Sequence, residues 1–372
     1  MRRPPILACV GTRPEVIKLA PVIRELKHRG ESVVTVATGQ HREMLQQALD
    51  TFSLVPEFDL ELMRPGQSLA DLTGRAVPAL DRVIASIRPR AVLVQGDTTT
   101  ALCGALAAFY RQVPVGHVEA GLRTGVLATP FPEEGNRRLV SQITAWHFCP
   151  TVASAANLLR EGVLESSVHV TGNTVVDAAL AVASRLGRQP SEDGRRRVLV
   201  TMHRRESQGD VQRRISAAIA ELARREDIHV LFPVHLSPGV RESVLPELNG
   251  HPNVTLCEPL GYEDLIAELC ASHLVVSDSG GLQEEAPAFD VPVLIMRDTT
   301  ERPEGVEAGC SVLCGTNPDR ILALANRLLD DDVAHARMAR ATNPYGDGHA
   351  SERIANVLNR MVSVSEPQHA AA

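Results

Sequence analysis

The chain has 372 residues, room for about two domains, and its 44% hydrophobic and 22% charged residues suit a protein that buries a large core. Lys and Arg number 38 against 45 Asp and Glu, a formal net charge of -7, which excludes the basic footprint of a nucleic-acid-binding surface. Any phosphate must then be held by local geometry rather than by a broad positive field.

The start, MRRPPILACVGTRPE, pairs two arginines with an apolar run as a leader segment does. The run ends at Val10 and is too short for that role, so Ile6–Val10 reads as a β-strand. After Gly11, Val16, Leu19, Ala20, Ile23 and Leu26 recur at helical spacing, with Pro21 expected to kink or break the helix. Ser32–Ala37 reads as the next strand. Ala91–Val94 is apolar throughout, the mark of a strand buried on both faces of a parallel sheet. Val115–Val118 and His147–Cys149 read as further strands.

After Thr171 the alternation of strand, loop and helix begins again. Leu186–Arg197 reads as a surface loop, followed by strands at Val198–Thr201, His229–Pro233, Leu274–Ser277 and Val293–Met296. Ser351–Val362 is helical, with Ile354, Val357, Leu358 and Met361 on one face, and a frayed tail follows. The expected fold class is α/β, with two Rossmann-like doubly wound domains. Their expected bounds are residues 1–171 joined by the helix at 351–363, residues 172–350, and a tail at 364–372. No stretch reaches the ~18 apolar residues of a membrane span. The seven cysteines are odd in number and none forms CxxC, which fits buried thiols of a cytoplasmic protein.

Four segments carry chemistry. GTRPE (Gly11 to Glu15) joins a strand to a helix: Gly11 would let backbone approach a ligand, the helix start would offer free N–H groups, and Arg13 a fork for phosphate oxygens. A turn that merely needs a glycine, with Arg13 in solvent, fits the spacing as well. SDSGGLQEEAP repeats the arrangement, with Ser279, Gly280 and Gly281 opening a helix as an anion cradle and Glu284 or Glu285 placed for ribose hydroxyls. Asp97 and Glu119 follow strands, and Glu133 and Glu134 stand in PFPEEGNR. Such acids, gathered beyond the carboxyl ends of strands, suit general acid–base work, although each alone is as readily a helix cap or an ion-pair partner. TMHRRES brings His203 with Arg204 and Arg205, and PVH brings His235; either set serves a diphosphate or a solvated surface. There is no GxGxxG, so no nicotinamide or flavin is supported, no GxxxxGK[ST], and no metal-ligand spacing among the thirteen histidines.

Taken in order, GTRPE, GQHREM, QGDTTT, HVEAGLRT, PFPEEGNRR, TGNTVVDA, HRRES, PVH, SDSGGLQEEAP, MRDTTERPEG and NPYGDG closely resemble the bacterial non-hydrolysing UDP-N-acetylglucosamine 2-epimerases, from about Ile6 to about Ile354. The resemblance implies a glycosyltransferase-B-like fold with the active site between two domains, a carboxy-terminal helix that crosses back to the first, and a homodimer. It implies interconversion of UDP-N-acetylglucosamine and UDP-N-acetylmannosamine with no redox cofactor.

By matching motifs, Asp97, Glu119 and Glu133 resemble the family's catalytic acids. Arg13, Lys18, His203, Ser279, Gly280 and Gly281 resemble its diphosphate contacts, and Glu285 its ribose ligand. Gln40, His41, Gln67, Glu134 and His235 match positions lining a second UDP-N-acetylglucosamine site, an activator site. Gly66, where some relatives carry arginine, and Met202, where many carry a smaller residue, depart from the pattern. Other readings are a hydrolysing relative, an epimerase of a modified UDP-sugar, a transferase of the same fold and a non-catalytic UDP-sugar sensor. The run of second-site residues favours the non-hydrolysing type, and the intact acids weigh against a sensor.

Overall fold

The computed structural model describes residues 3–39, 42–187, 194–204 and 209–364. The chain divides into two compact units, Met1–Ala178 with Gly346–Ala372, and Ala179–Tyr345.

The first unit alternates β1 (Ile6–Val10), α1 (Arg13–His28), β2 (Val33–Ala37), α2 (Arg42–Thr51), β3 (Phe58–Asp59), α3 (Leu69–Ile87), β4 (Ala91–Gln95), α4 (Thr99–Tyr110), β5 (Val115–Val118), α5 (Glu133–Gln142), β6 (Trp146–Cys149), α6 (Val152–Arg160) and β7 (Val168–Val170). Its seven strands lie in the order β3-β2-β1-β4-β5-β6-β7 and every pair is parallel. Helix α7 (Thr174–Leu186) leads out of it.

The second unit continues with β8 (Arg196–Thr201), α8 (Asp210–Leu222), β9 (Ile228–Pro233), α9 (Pro238–Leu248), β10 (Val254–Cys257), α10 (Tyr262–Ala271), β11 (Ser272–Ser277), α11 (Gly280–Glu285), β12 (Val293–Ile295), α12 (Pro303–Ala308), β13 (Ser311–Leu313), α13 (Pro318–Asp330) and α14 (Asp332–Ala339). Its six strands lie in the order β10-β9-β8-β11-β12-β13, again all parallel. Both sheets are doubly wound, as the repeated strand–loop–helix pattern implied. Crossover helices cover both faces, so β1 and β4 are buried at every residue.

Four strands escaped the apolar-run reading: β3, β7, β10 and β13. They are the two edges of each sheet. An edge strand is covered less completely than a central one and carries no continuous apolar run. Two details also differ from expectation. Helix α1 passes through buried Pro21 without ending. Strand β8 begins at Arg196, so Arg196 and Arg197 stand in the strand rather than in a loop. Their long side chains reach Asp227 and Glu268, which lets charged residues occupy a strand start.

The last helix, α15 (Ala350–Val364), belongs with the first unit and packs on α1, where Arg29 Nη1 donates to Asn356 Oδ1 at 2.6 Å. Its first turn is tied down by buried Asp177, which accepts from the Ser351 N–H at 2.7 Å and the Ser351 hydroxyl at 2.6 Å. The tail expected at 364–372 lies outside the described residues except for Val364. All seven cysteines are free thiols. Among the described residues no helix is long and apolar enough to cross a membrane.

Candidate active site

In a doubly wound sheet the crossovers diverge where the strand order reverses, and a crevice opens beyond the carboxyl ends of the two strands concerned. These places are β1/β4 in the first unit and β8/β11 in the second. Gly11, Asp97, His203 and Asp278 follow β1, β4, β8 and β11, while Glu119 and His235 follow the neighbouring strands β5 and β9.

After β1, Glu15 is buried and turns its carboxylate back on the loop. Its Oε2 accepts from the Gly11 N–H at 2.9 Å, the Thr12 N–H at 2.6 Å and the Thr12 hydroxyl at 2.8 Å, and its Oε1 from the Thr98 hydroxyl at 2.6 Å. The amides of Gly11 and Thr12, just before α1, are therefore bonded within the protein. Gly11 also has a different reason from the one expected. A Cβ there would stand 2.2 Å from Thr100 Oγ1 and 2.5 Å from Thr38 Oγ1, two hydroxyls that bond each other at 2.9 Å. Burial pushes the Glu15 carboxyl up to about 7, against the hydrogen bonds from Thr98, Thr12 and the two amides. Arg13, the first residue of α1, is half-buried and has no partner among the described residues.

Asp97 and Glu119 follow neighbouring strands, whose register pairs Gln95 with Val118. Arg137 of α5 holds Asp97, with Nε at 2.6 Å from Oδ2, and Asn136 Nδ2 donates to the Asp97 carbonyl at 2.8 Å. Glu119 is buried, pairs with Lys18 Nζ at 2.8 Å and accepts from Gln95. Its φ of 65° lies in the left-handed region, a conformation a non-glycine residue keeps only when its surroundings fix it. Here Lys18 and Gln95 do so. His117 supports the same edge: its Nε2 bonds the Gly96 carbonyl at 2.7 Å, and burial pushes its ring down to about 3, so it is neutral there. Glu133 opens α5, half-buried and without a partner among the described residues, on the helical face that four residues later presents Arg137. Glu134 is fully buried, accepting from the Thr124 N–H at 3.0 Å and Arg138 Nε at 3.1 Å. Gln67 lies apart from these contacts; its Oε1 caps the Arg64 N–H at 3.1 Å and binds Arg75. Gln40 and His41 lie outside the described residues.

In the second unit, Ser277 Oγ and Thr201 Oγ1 bond at 2.6 Å across the ends of β11 and β8. Asp278, next along, is 2% exposed and binds His203 Nδ1 at 2.9 Å. The His235 ring centroid is 6.3 Å from that of His203. Ser279 precedes α11 without a side-chain cap bond, and Gly280 and Gly281 form its first turn. Gly280 admits the guanidinium of Arg302, whose Nη1 is 2.7 Å from the place of a Cβ. Arg302 Nε in turn binds buried Glu284 at 2.6 Å. Glu285 is buried one turn from Gly281. Sequence reasoning passed over Glu15, Arg137, Asp278 and Arg302, although all four lie inside motifs it had singled out. Among the described residues no three His, Cys, Asp or Glu side chains are grouped to hold a metal.

Two parallel doubly wound units, each with polar side chains massed at its switch point, define a glycosyltransferase-B-like α/β protein. A solved MurG from Acinetobacter baumannii, 14% identical with a TM-score of 0.61 over 96% of this chain and 100% of its own, shares the fold alone. The chain belongs to the UDP-N-acetylglucosamine 2-epimerase family, whose model matches residues 24–359. It is 47% identical to the UDP-N-acetylglucosamine 2-epimerase of Yersinia pestis over 95% of this chain and 98% of that one. It is 43% identical, with a TM-score of 0.88, to the crystal structure of the Neisseria meningitidis UDP-GlcNAc 2-epimerase bound to UDP-GlcNAc, over 95% of this chain and 99% of that one.

Glu15 gives a pH prediction. Its pKa is raised from 4.5 to about 7, so the folded state binds a proton the unfolded chain releases. The stability this confers is complete below about pH 4.5 and is lost as pH rises through about 7, roughly 3 kcal/mol in all. In urea unfolding at pH 5 and pH 8, Glu15→Gln should lose that much less than the wild type. Parallel losses in the two proteins would refute the assignment.

Proposed function

We propose that the family's reaction, interconversion of UDP-N-acetylglucosamine and UDP-N-acetylmannosamine, runs in this chain by elimination of UDP and its re-addition, with no release of free sugar. The C2 proton of the sugar is not beside a carbonyl and is not acidic in the ground state. When the anomeric C–O bond to UDP breaks first, C1 gains oxocarbenium character and the C2 proton becomes acidic. A carboxylate then takes that proton, leaving 2-acetamidoglucal and UDP. Protonation of C2 from the opposite face and return of UDP oxygen to C1 give the epimer.

The chemistry needs negative groups beside the sugar to stabilise the cation and carry the proton, and positive groups beside the diphosphate as it leaves. In this reading Asp97, Glu119 and Glu133 serve the sugar. Arg13, Lys18 and His203 and the backbone of Ser279, Gly280 and Gly281 serve the diphosphate, and Glu285 the ribose. The reading rests on one observation above the others. Asp97 and Glu119 stand at the ends of adjacent strands, each held by its own cation, with Glu133, unpartnered among the described residues, on the helix that supplies one of those cations.

For a second UDP-N-acetylglucosamine molecule acting as activator, the proposed residues are Gln40, His41, Gln67, Glu134 and His235. Glu134 would act there through Thr124 and Arg138, the groups it holds. A homodimer is also proposed, since α4 ends in Phe109 and Tyr110, 52% and 66% exposed, and Leu139 of α5 is exposed as well. Light scattering should give twice the 40.2 kDa of one chain, and a single-chain mass at micromolar concentration would remove the dimer.

Asp97→Asn, Glu119→Gln and Glu133→Gln should each lower turnover by about 10²-fold or more while calorimetry still reports UDP binding. Wild-type turnover in all three would refute the carboxylate roles.

A further inference from the structure

Asp278 lies within SDSGG, yet neither composition nor spacing assigns it a task. Its carboxylate is almost fully buried beyond β11 and is tied to the residues that follow β8. The His203 N–H donates to Oδ2 at 3.0 Å and to Oδ1 at 3.2 Å, and the Arg204 N–H donates to Oδ2 at 2.9 Å. The strand ends beneath it are laced together, since the Ser279 N–H donates to Ser277 Oγ at 2.9 Å and that hydroxyl bonds Thr201 Oγ1 at 2.6 Å. A turn needs no more than these amide bonds. Among the described residues the carboxylate makes one contact beyond them, to the ring of His203, whose Nδ1 stands 2.9 Å from Oδ1.

We infer that Asp278 is a positioning residue for the epimerase reaction: it fixes the orientation and tautomer of His203 so that ring Nε2 is presented to the departing diphosphate. The inference rests on the reading of His203 as a diphosphate contact. An ionised carboxylate only accepts, so Nδ1 must carry the proton between the two groups. Nε2 is then the free nitrogen, and when the ring is charged it donates a hydrogen bond to the phosphate oxygen on which negative charge grows as the C1–O bond breaks. No covalent bond to the protein forms, and the proton at Nδ1 stays where it is.

The anion is fit for this role. Burial raises its proton affinity, but the His203 ring and the amides of Arg204 and His203 outweigh burial and hold the carboxyl below its ordinary value. The ring is 40% exposed on its other side, with His235 as its ring neighbour. A carboxylate with four contacts to one short segment leaves the imidazole little freedom to turn, which is how a supporting residue makes a reacting group reliable.

Two measurements test the dyad. The first uses the wild-type chain, so it does not depend on a variant folding. Nitrogen-15 NMR of the histidine rings, with His203 identified by its loss in His203→Gln, should show the His203 proton on Nδ1 in the neutral ring. The opposite tautomer overturns the inference. The second is a double-mutant cycle in turnover. Asp278→Asn should lower kcat by about 100-fold with a much smaller change in KM, and His203→Ala added to it should cost little more, because the two residues act as one unit. Wild-type kcat in Asp278→Asn, or losses that multiply in the double variant, would overturn the dyad while leaving His203 as a diphosphate contact. Wild-type kcat in His203→Ala would overturn that contact as well.

Discussion

Every strand of both sheets is parallel, and that single constraint organises the rest of the molecule. Parallel strands must be joined by crossovers, the crossovers bury each sheet on both faces, and within each sheet, taken by itself, the carboxyl ends emerge on one edge. Where the winding reverses, between β1 and β4 and between β8 and β11, that edge is not closed over by the next connection. Polar side chains that would be intolerable inside the sheet collect there and next to it: Asp97 lies two residues past β4, Glu119 one residue past the neighbouring β5, and Asp278 one residue past β11.

Placing carboxylates on so dry an edge carries an electrostatic cost, and each is met by a partner of a different kind. Asp97 has Arg137, Glu119 has Lys18, Asp278 has two amides and an imidazole, and Glu15 has amides and hydroxyls alone. With no cation beside it among the described residues, burial dominates at Glu15 and its proton affinity rises. The partners also fix direction. Glu119 keeps a left-handed backbone because its side chain is clamped between Lys18 and Gln95. In the proposed reading, side chains held in this way, rather than general positive charge, would let a chain of net charge -7 handle a nucleotide diphosphate.

The α/β class and the central strands could be read from sequence because burial on both faces leaves a continuous apolar run, as in Ile6–Val10 and Ala91–Val94. The edge strands could not, since half-exposed runs such as Val254–Cys257 carry no such mark. The positions of Asp97 and Glu119 past strand ends were legible for the same reason as the strands themselves. What held them was not, because Lys18 and Glu119 are 101 residues apart and His203 and Asp278 are 75 apart, and no local period reports such pairs. The first loop also held a contact that no local signal marks: the carboxylate of Glu15, four residues past Gly11, turns back to bind the Gly11 and Thr12 amides.

The central claim, that UDP leaves and returns while C2 exchanges its proton, is tested most directly by proton NMR of the protein with UDP-N-acetylglucosamine in D₂O. The account predicts that UDP-N-acetylmannosamine appears with deuterium at C2 and that UDP does not accumulate. Growth of free N-acetylmannosamine and UDP, or epimerisation that keeps the C2 proton, would contradict it.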